Sequence, residues 1–295
     1  MRKPWAVFVI AVTAAIRAVP CEAQTNGRAH ARSRSGALAR PGRFRRGDWP
    51  SPGRPRSLRR RSHPVWPGSI KVVTANDGKK AVDSLKSARA DFLKVYTGVS
   101  RAPYFGIAEE AKKGNFAFVG HVPLEVDVAE ASNAGQRSVE HLMGILLYSS
   151  SQSDELLADL RKGMNSNLLN NQMVDTYDPT KASTLFALFV KNATWQVPTL
   201  TIRYARPYLK ELQASNDPRL NYIPKSIAGD WGPKVDARQP TDPWIIASRK
   251  HLFQKAMEVI GSMHHAGVKL MAGTDTPNPY CFPGFSLHDE LGFMV

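Results

Sequence analysis

The chain has 295 residues, 42% of them apolar, with 40 Lys and Arg against 25 Asp and Glu and only 2 Cys. That length suits one large α/β domain or two small ones, and the apolar share excludes wholesale disorder. Two cysteines, Cys21 and Cys281, exclude a disulfide scaffold and a Cys-based zinc module. The formal charge of +15 is unevenly placed: residues 1–23 carry +2, residues 24–62 carry +11 from twelve Arg and Asp48, and residues 63–295 carry the remaining +2. A near-neutral body therefore follows a basic segment.

Residues 1–23 read as a secretory signal peptide. Arg2 and Lys3 precede an apolar run, Ala6 to Ile16, that is short for a bilayer span, and Cys21-Glu22-Ala23 offers a cleavage site. An uncleaved anchor is the alternative, against which Arg17 ends the run early. The reading places the protein outside the cytoplasm, secreted or periplasmic, with no membrane helix after cleavage. Residues 24–62 are Arg, Gly, Pro and Ser with little to bury, so they cannot offset their own chain entropy. Three readings stand for them: a disordered linker, a basic arm for an anionic partner, or a mistranslated frame, which twelve Arg without Lys suggests.

From His63 onward strands and helices alternate. Asn76-Asp77 can cap a helix carrying Ala81, Val82 and Leu85. Phe92 to Tyr96 reads as a strand, Ser100 as the cap of the next helix with Pro103 in its first turn, and Phe116 to Val122 as a second strand. A short helix follows from Val126 to Ala134, stopped by Gly135, and then a strand from Ser138 to Leu142. Helices are expected at Ser153 to Arg161 and Lys181 to Lys191, a strand at Gln196 to Ile202, a long helix from Trp244 to His265, and a last strand from Val268 to Ala272. About five βα units imply a parallel sheet.

Functional residues gather at the C-terminal ends of strands in such folds. That filter selects Lys94 inside FLKVY, His121 closing FAFVGHV, His141 in SVEHL and Asp275 after LMAGT. Each has an ordinary reading: a snorkelling lysine, two hydrogen-bonded histidines, a turn-forming aspartate. Together they describe a metal site at a barrel mouth. His264 and His265 read as structural, His288 as a helix-start residue, and Cys281 as a loop thiol.

Residues 63–291 resemble the amidohydrolase superfamily, in its imidazolonepropionase-like and prolidase-like branch. The stretches that carry the likeness include ADFLKVYTGVSR (90–101), FVGHVP (118–123), EASNAGQRSVEHLMGI (130–145) and AGTDTPNPYCFPGFSLHDEL (272–291). The resemblance implies a partial TIM (β/α)8 barrel with strands 4–8 present, and strands 1–3 and a C-terminal β-sandwich missing. It implies that Lys94 is a carboxylated metal-bridging lysine, that His121 and His141 are imidazole ligands, and that Asp275 is a metal ligand and the catalytic proton carrier. The cofactor it implies is a divalent metal, zinc by ligand type, with at most one ion here because the chain has no His-x-His pair. The activity it implies is hydrolysis of small amides or dipeptides by metal-activated water. The alternative is an inactive fragment, or a basic secreted protein binding through the Arg-rich arm; a nucleic-acid partner is not expected.

Overall fold

The computed structural model describes residues 7–11, 69–162, 166–231 and 242–295. The Arg-rich segment 24–62, and all of the leader except residues 7–11, lie outside the described residues. The elements, in chain order, are β1 (Val7–Ala11), β2 (Ile70–Val72), α1 (Ala75–Ser87), β3 (Phe92–Val95), α2 (Arg101–Lys113), β4 (Ala117–Gly120), α3 (Val128–Asn133), β5 (Ser138–Glu140), α4 (Ile145–Tyr148) and α5 (Ser153–Arg161). They continue with α6 (Ser166–Asp175), α7 (Pro179–Asn192), β6 (Trp195–Val197), α8 (Leu200–Ala205), α9 (Leu209–Ala214), a 3-10 turn at Pro218–Tyr222, α10 (Lys225–Asp230), α11 (Pro243–His265) and α12 (Phe285–Phe293). None of the described helices is long and apolar enough to cross a membrane.

The sheet order is β2-β1-β3-β4-β5-β6. β3, β4, β5 and β6 are parallel, each joined to the next through at least one helix. This is a four-stranded parallel sheet in an α/β fold, where five strands were expected. The fifth, Val268 to Ala272, shrinks to a single parallel bridge: Gln196 donates its N–H to the Lys269 carbonyl, and Met271 donates to the Gln196 carbonyl. The Val7–Ala11 part of the apolar leader is a strand, antiparallel to both β2 and β3. Its sequence, VFVIA, has the β-branched and aromatic composition that a strand takes as readily as a signal core does.

Alternation decides which face each strand gives to the helices. Leu93 and Val95 of β3, Phe118 of β4 and Val139 of β5 are buried, and share one core with Val82 and Leu85 of α1 and Tyr104 and Ile107 of α2. Each such side chain contributes about 1.5–3 kcal/mol on burial. The opposite face of β3 carries Phe92 and Lys94, which are only partly buried.

Local signals explain the helix starts, and several differ from expectation. Thr74, not Asn76-Asp77, caps α1; its hydroxyl accepts from the Asp77 N–H, and the Asp77 carboxylate accepts from the Thr74 N–H. Ser100 stands at the start of α2 without capping it; the Glu125 carboxylate accepts the Arg101 N–H instead. α7 begins at Pro179, capped by Asp178. The expected strand Gln196 to Ile202 ends at Val197, because Thr199 turns left-handed and α8 begins at Leu200.

α1 and α2 cross at two glycines. A Cβ on Gly106 would lie 2.1 Å from the Ala75 carbonyl oxygen, and one on Gly78 would lie 2.4 Å from that of Pro103. Both contacts are with backbone, which cannot swing aside. Gly106→Ala is therefore expected to lower the unfolding free energy by about 1–3 kcal/mol, read as an earlier denaturant midpoint with unchanged slope. An unchanged midpoint would show that the two helices separate freely.

Candidate metal centre

Four side chains converge where β3, β4 and β5 end. Lys94 is the penultimate residue of β3, His121 follows β4, Glu140 ends β5, and His141 is next in the chain. The backbone of each histidine is pinned to the neighbouring strand: His121 donates its N–H to the Val95 carbonyl at 3.0 Å, and His141 to the Val197 carbonyl at 2.9 Å. Gly120 makes the first turn workable. Its φ is +111°, and a Cβ there would lie 2.5 Å from the Val95 carbonyl oxygen. Gln136, fully buried, ties β4 to β5 by donating its amide to the Gly120 and Ser138 carbonyls and accepting from the Tyr104 hydroxyl.

The imidazoles face each other, with His121 Nε2 and His141 Nε2 3.0 Å apart. Their outer nitrogens meet threonines: His121 Nδ1 lies 2.6 Å from Thr97 Oγ1, and His141 Nδ1 2.7 Å from Thr199 Oγ1. One arrangement of protons satisfies these contacts together. In it Thr199 donates to the Pro198 carbonyl and accepts from His141 Nδ1–H. His141 Nε2 therefore carries a lone pair aimed into the site, which His121 Nε2–H satisfies. His121 then accepts from Thr97, whose hydroxyl can turn to accept instead. His141 is held ready to act as a ligand, and His121 needs one proton shift to join it.

Glu140 completes the group. Its Oε2 lies 2.7 Å from Lys94 Nζ, 3.5 Å from His121 Nε2 and 3.7 Å from His141 Nε2. The Lys94 contact has ion-pair distance but not hydrogen-bond alignment, so this buried oxygen has no aligned donor. Metal bonds of about 2.0–2.2 Å at open angles separate neighbouring ligand atoms by roughly 3–3.5 Å. His121, Glu140 and His141 fit that spacing for one ion, and they are the described residues whose ligand atoms gather for a metal. Asp275 is not in that group. It lies within electrostatic reach of Lys94 and Glu140, half-buried in a left-handed turn, with Asn278 Nδ2 donating to its carboxylate at 3.0 Å. Burial pushes its carboxyl up, while Lys94 and Arg206 pull the other way. His288, His264 and His265 are exposed and are not in that group, and Cys281 is fully buried.

Several residues of the site carry no signal in the sequence. Arg203 of α8 is partly buried and donates to the His141 carbonyl; desolvation, with Arg206 nearby, lowers its guanidinium to about 10. Glu290 of α12, also buried, accepts the Leu200 and Thr201 N–H groups and the Thr201 hydroxyl at 2.7–2.9 Å. It thereby closes the start of α8 immediately after Thr199. Thr199 lies 58 residues from the ring it holds and Glu290 90 residues from Leu200, so no local motif joins them.

The arrangement of sheet and helices has a counterpart among solved structures. Among solved structures the chain is similar to bottromycin amidohydrolase, at 23% identity over 76% of this chain with a TM-score of 0.52. That likeness is one of fold. Lower-scoring likenesses are to a Xaa-Pro dipeptidase with bound methionine (15% identity, TM-score 0.40) and a prolidase complexed with N-methylphosphonate-L-proline (17%, 0.40), each covering 76% of this chain. This chain spans 46%, 43% and 44% of those three structures, less than half of each. No family model and no curated protein matches the sequence.

Thr199→Val removes the acceptor that sets the His141 tautomer, while Thr199→Ser keeps it. The valine variant is expected to lose about 10–100-fold in affinity for zinc or cobalt(II), and the serine variant to stay near wild type, by titration of the chelator-treated protein. Equal affinities would show that the hydroxyl does not set the tautomer.

Burial holds both rings neutral. His121 is pushed down to about 3, with Lys94 adding to the effect, and His141 to about 2, with His121, Arg203 and Lys94 adding. The unfolded chain takes up these protons near the ordinary value of 6.5 and the folded chain does not. Stability is therefore complete above pH 6.5 and falls as pH drops from 6.5 towards about 3, by up to about 1.4 kcal/mol per pH unit for each histidine. Asp275 and Glu290, whose carboxyls burial raises, act in the opposite sense at the acid end. Denaturant titrations of metal-free protein between pH 7 and 4 check this. A flat profile in the wild type, or one left unchanged in His121→Gln, would contradict it.

Proposed function

We propose that this chain is a metal-dependent hydrolase that cleaves amide C–N bonds in small molecules, Xaa-Pro-like dipeptides and N-acyl amino acids among them. The observation that carries the reading is the convergence of His121, Glu140 and His141 at the ends of neighbouring parallel strands, within ligand distance of one another. The likeness of fold to bottromycin amidohydrolase supports the same chemistry.

A divalent metal bound by these side chains supplies Lewis acidity and lowers the pKa of water to roughly 7. The rest is work for the chain's own groups. His141, its tautomer set by Thr199, keeps its Nε2 lone pair directed inward. Asp275 serves as the proton carrier. Its half-buried carboxylate, which burial raises, would take a proton from the water that attacks the carbonyl carbon and deliver it to the amide nitrogen as the C–N bond breaks. Lys94 and Arg206 oppose that rise.

The test is hydrolysis of a panel of Xaa-Pro dipeptides and N-acetyl amino acids by the purified chain with added zinc or manganese. Activity should vanish with chelator, return with metal, and fall about 10²–10⁴-fold in Asp275→Asn with metal content unchanged. A folded, metal-loaded chain that cleaves none of the panel would count against the reading, as would chelator-resistant turnover.

A further inference from the structure

The residue before a helix ordinarily caps it, and threonine is a favoured cap when its backbone is extended. Thr199 holds that position in front of α8 but gives no cap. Its backbone is left-handed, with φ of 51°, a costly conformation for a β-branched residue. Its hydroxyl donates to the Pro198 carbonyl at 2.7 Å and meets His141 Nδ1 at 2.7 Å. The N–H groups of Leu200 and Thr201 go instead to the Glu290 carboxylate of α12, at 2.9 and 2.7 Å.

We propose that Glu290 is a positioning residue: it caps α8 in place of Thr199 and so leaves the Thr199 hydroxyl to hold the His141 ring. This role rests on the metal-dependent reading above and deepens it, by naming a residue that acts on His141 through another.

Three observations support the role. Glu290 is fully buried, and a buried carboxylate is costly unless its oxygens are bonded; a hydroxyl at the cap position serves a helix start without that cost. Its oxygens are bonded, since the Thr201 hydroxyl also donates to it at 2.7 Å. α12 itself is anchored: Asp289 accepts from Arg219 Nη1 at 2.7 Å, and Ser286 Oγ accepts the Phe282 N–H at 2.8 Å. α8 in turn meets His141 twice, at the ring through Thr199 and at the carbonyl through Arg203.

Without the carboxylate, the first turn of α8 needs another acceptor, and the hydroxyl at the cap position is able to become one. Turning it to the helix takes the acceptor away from His141 Nδ1–H. The effect of position 290 on the ring therefore depends on Thr199. Glu290→Gln keeps the shape but sets an amide donor against backbone donors.

The test is a double-mutant cycle of Glu290→Gln and Thr199→Val, read by zinc titration of chelator-treated protein with circular dichroism for folding. Glu290→Gln should cost about tenfold in zinc affinity in the wild type. In the Thr199→Val background it should cost no more than about twofold. Gly106→Ala, which disturbs the crossing of α1 and α2, should leave the affinity unchanged and so separates positioning from stability. Nitrogen NMR of the metal-free protein should show His141 protonated at Nδ1 in the wild type, and a mixture of tautomers in Glu290→Gln.

Equal losses in both backgrounds, or an unmoved tautomer, overturn the role of Glu290 and leave the hydrolase reading standing. Where Glu290→Gln does not fold, Glu290→Asp replaces it, its shorter side chain drawing the acceptor back from α8. In the wild type itself, fast hydrogen exchange at the Leu200 and Thr201 amides overturns the proposal, whatever the variants do. A folded wild type that binds no metal overturns the metal-dependent reading, and the tautomer comparison then decides the role of Glu290 by itself.

Discussion

Two imidazole nitrogens 3.0 Å apart, at the ends of successive parallel strands, set the constraint that the surrounding structure serves. Holding them so requires β4 and β5 in fixed register. Gln136 supplies this by bonding the carbonyls of both strands from a fully buried position. It also requires the chain to turn sharply after each strand, which Gly120 permits on one side and left-handed His141 and Leu142 provide on the other. Non-glycine residues in that conformation cost roughly 1–2 kcal/mol each. The cost is borne where the donor atoms converge.

Lys94, His121 and His141 are legible from sequence because a polar residue at the end of an apolar run stands out against its neighbours. Glu140 is not, although it adjoins His141. Strand alternation sends adjacent side chains to opposite faces, so an E-H pair reads as one residue in and one out. The left-handed backbone at His141, with φ of 59°, breaks that alternation and brings both side chains to one point. Thr199 escapes for a related reason. Alternating apolar residues suggest that the strand continues to Ile202, whereas the chain turns at Thr199 and starts a helix. In both places the departure from regular structure is what builds the site.

The fold is legible to the extent that local periodicity governs it. α5 has the limits its pattern sets, and α11 begins one residue early, at Pro243 behind its Asp242 cap. Features fixed by distant contacts are less visible. The Val268 to Ala272 run has strand composition, yet only Leu270 pairs, because β6 offers it a single residue, Gln196. Val7–Ala11 shows the converse. An apolar run with two meanings becomes an inner antiparallel strand where β2 and β3 both offer it partners.

The support behind the site is electrostatic as well as steric. Glu290 on α12 closes the N-terminal end of α8, and Arg203 of α8 donates to the His141 carbonyl. Partly buried Arg203 and Lys94, with Arg206, place positive charge around two neutral rings and oppose their protonation. The carboxylates answer that charge unevenly. Glu290 takes donors from α8, Asp275 takes Asn278, and Glu140 alone meets Lys94 without an aligned hydrogen bond. Among the described residues of this cluster, Glu140 Oε2 and Arg203 Nε are buried atoms left without a hydrogen-bond partner. The same imbalance explains why Lys94 leans towards Glu140: it is the nearest positive charge the chain can bring there.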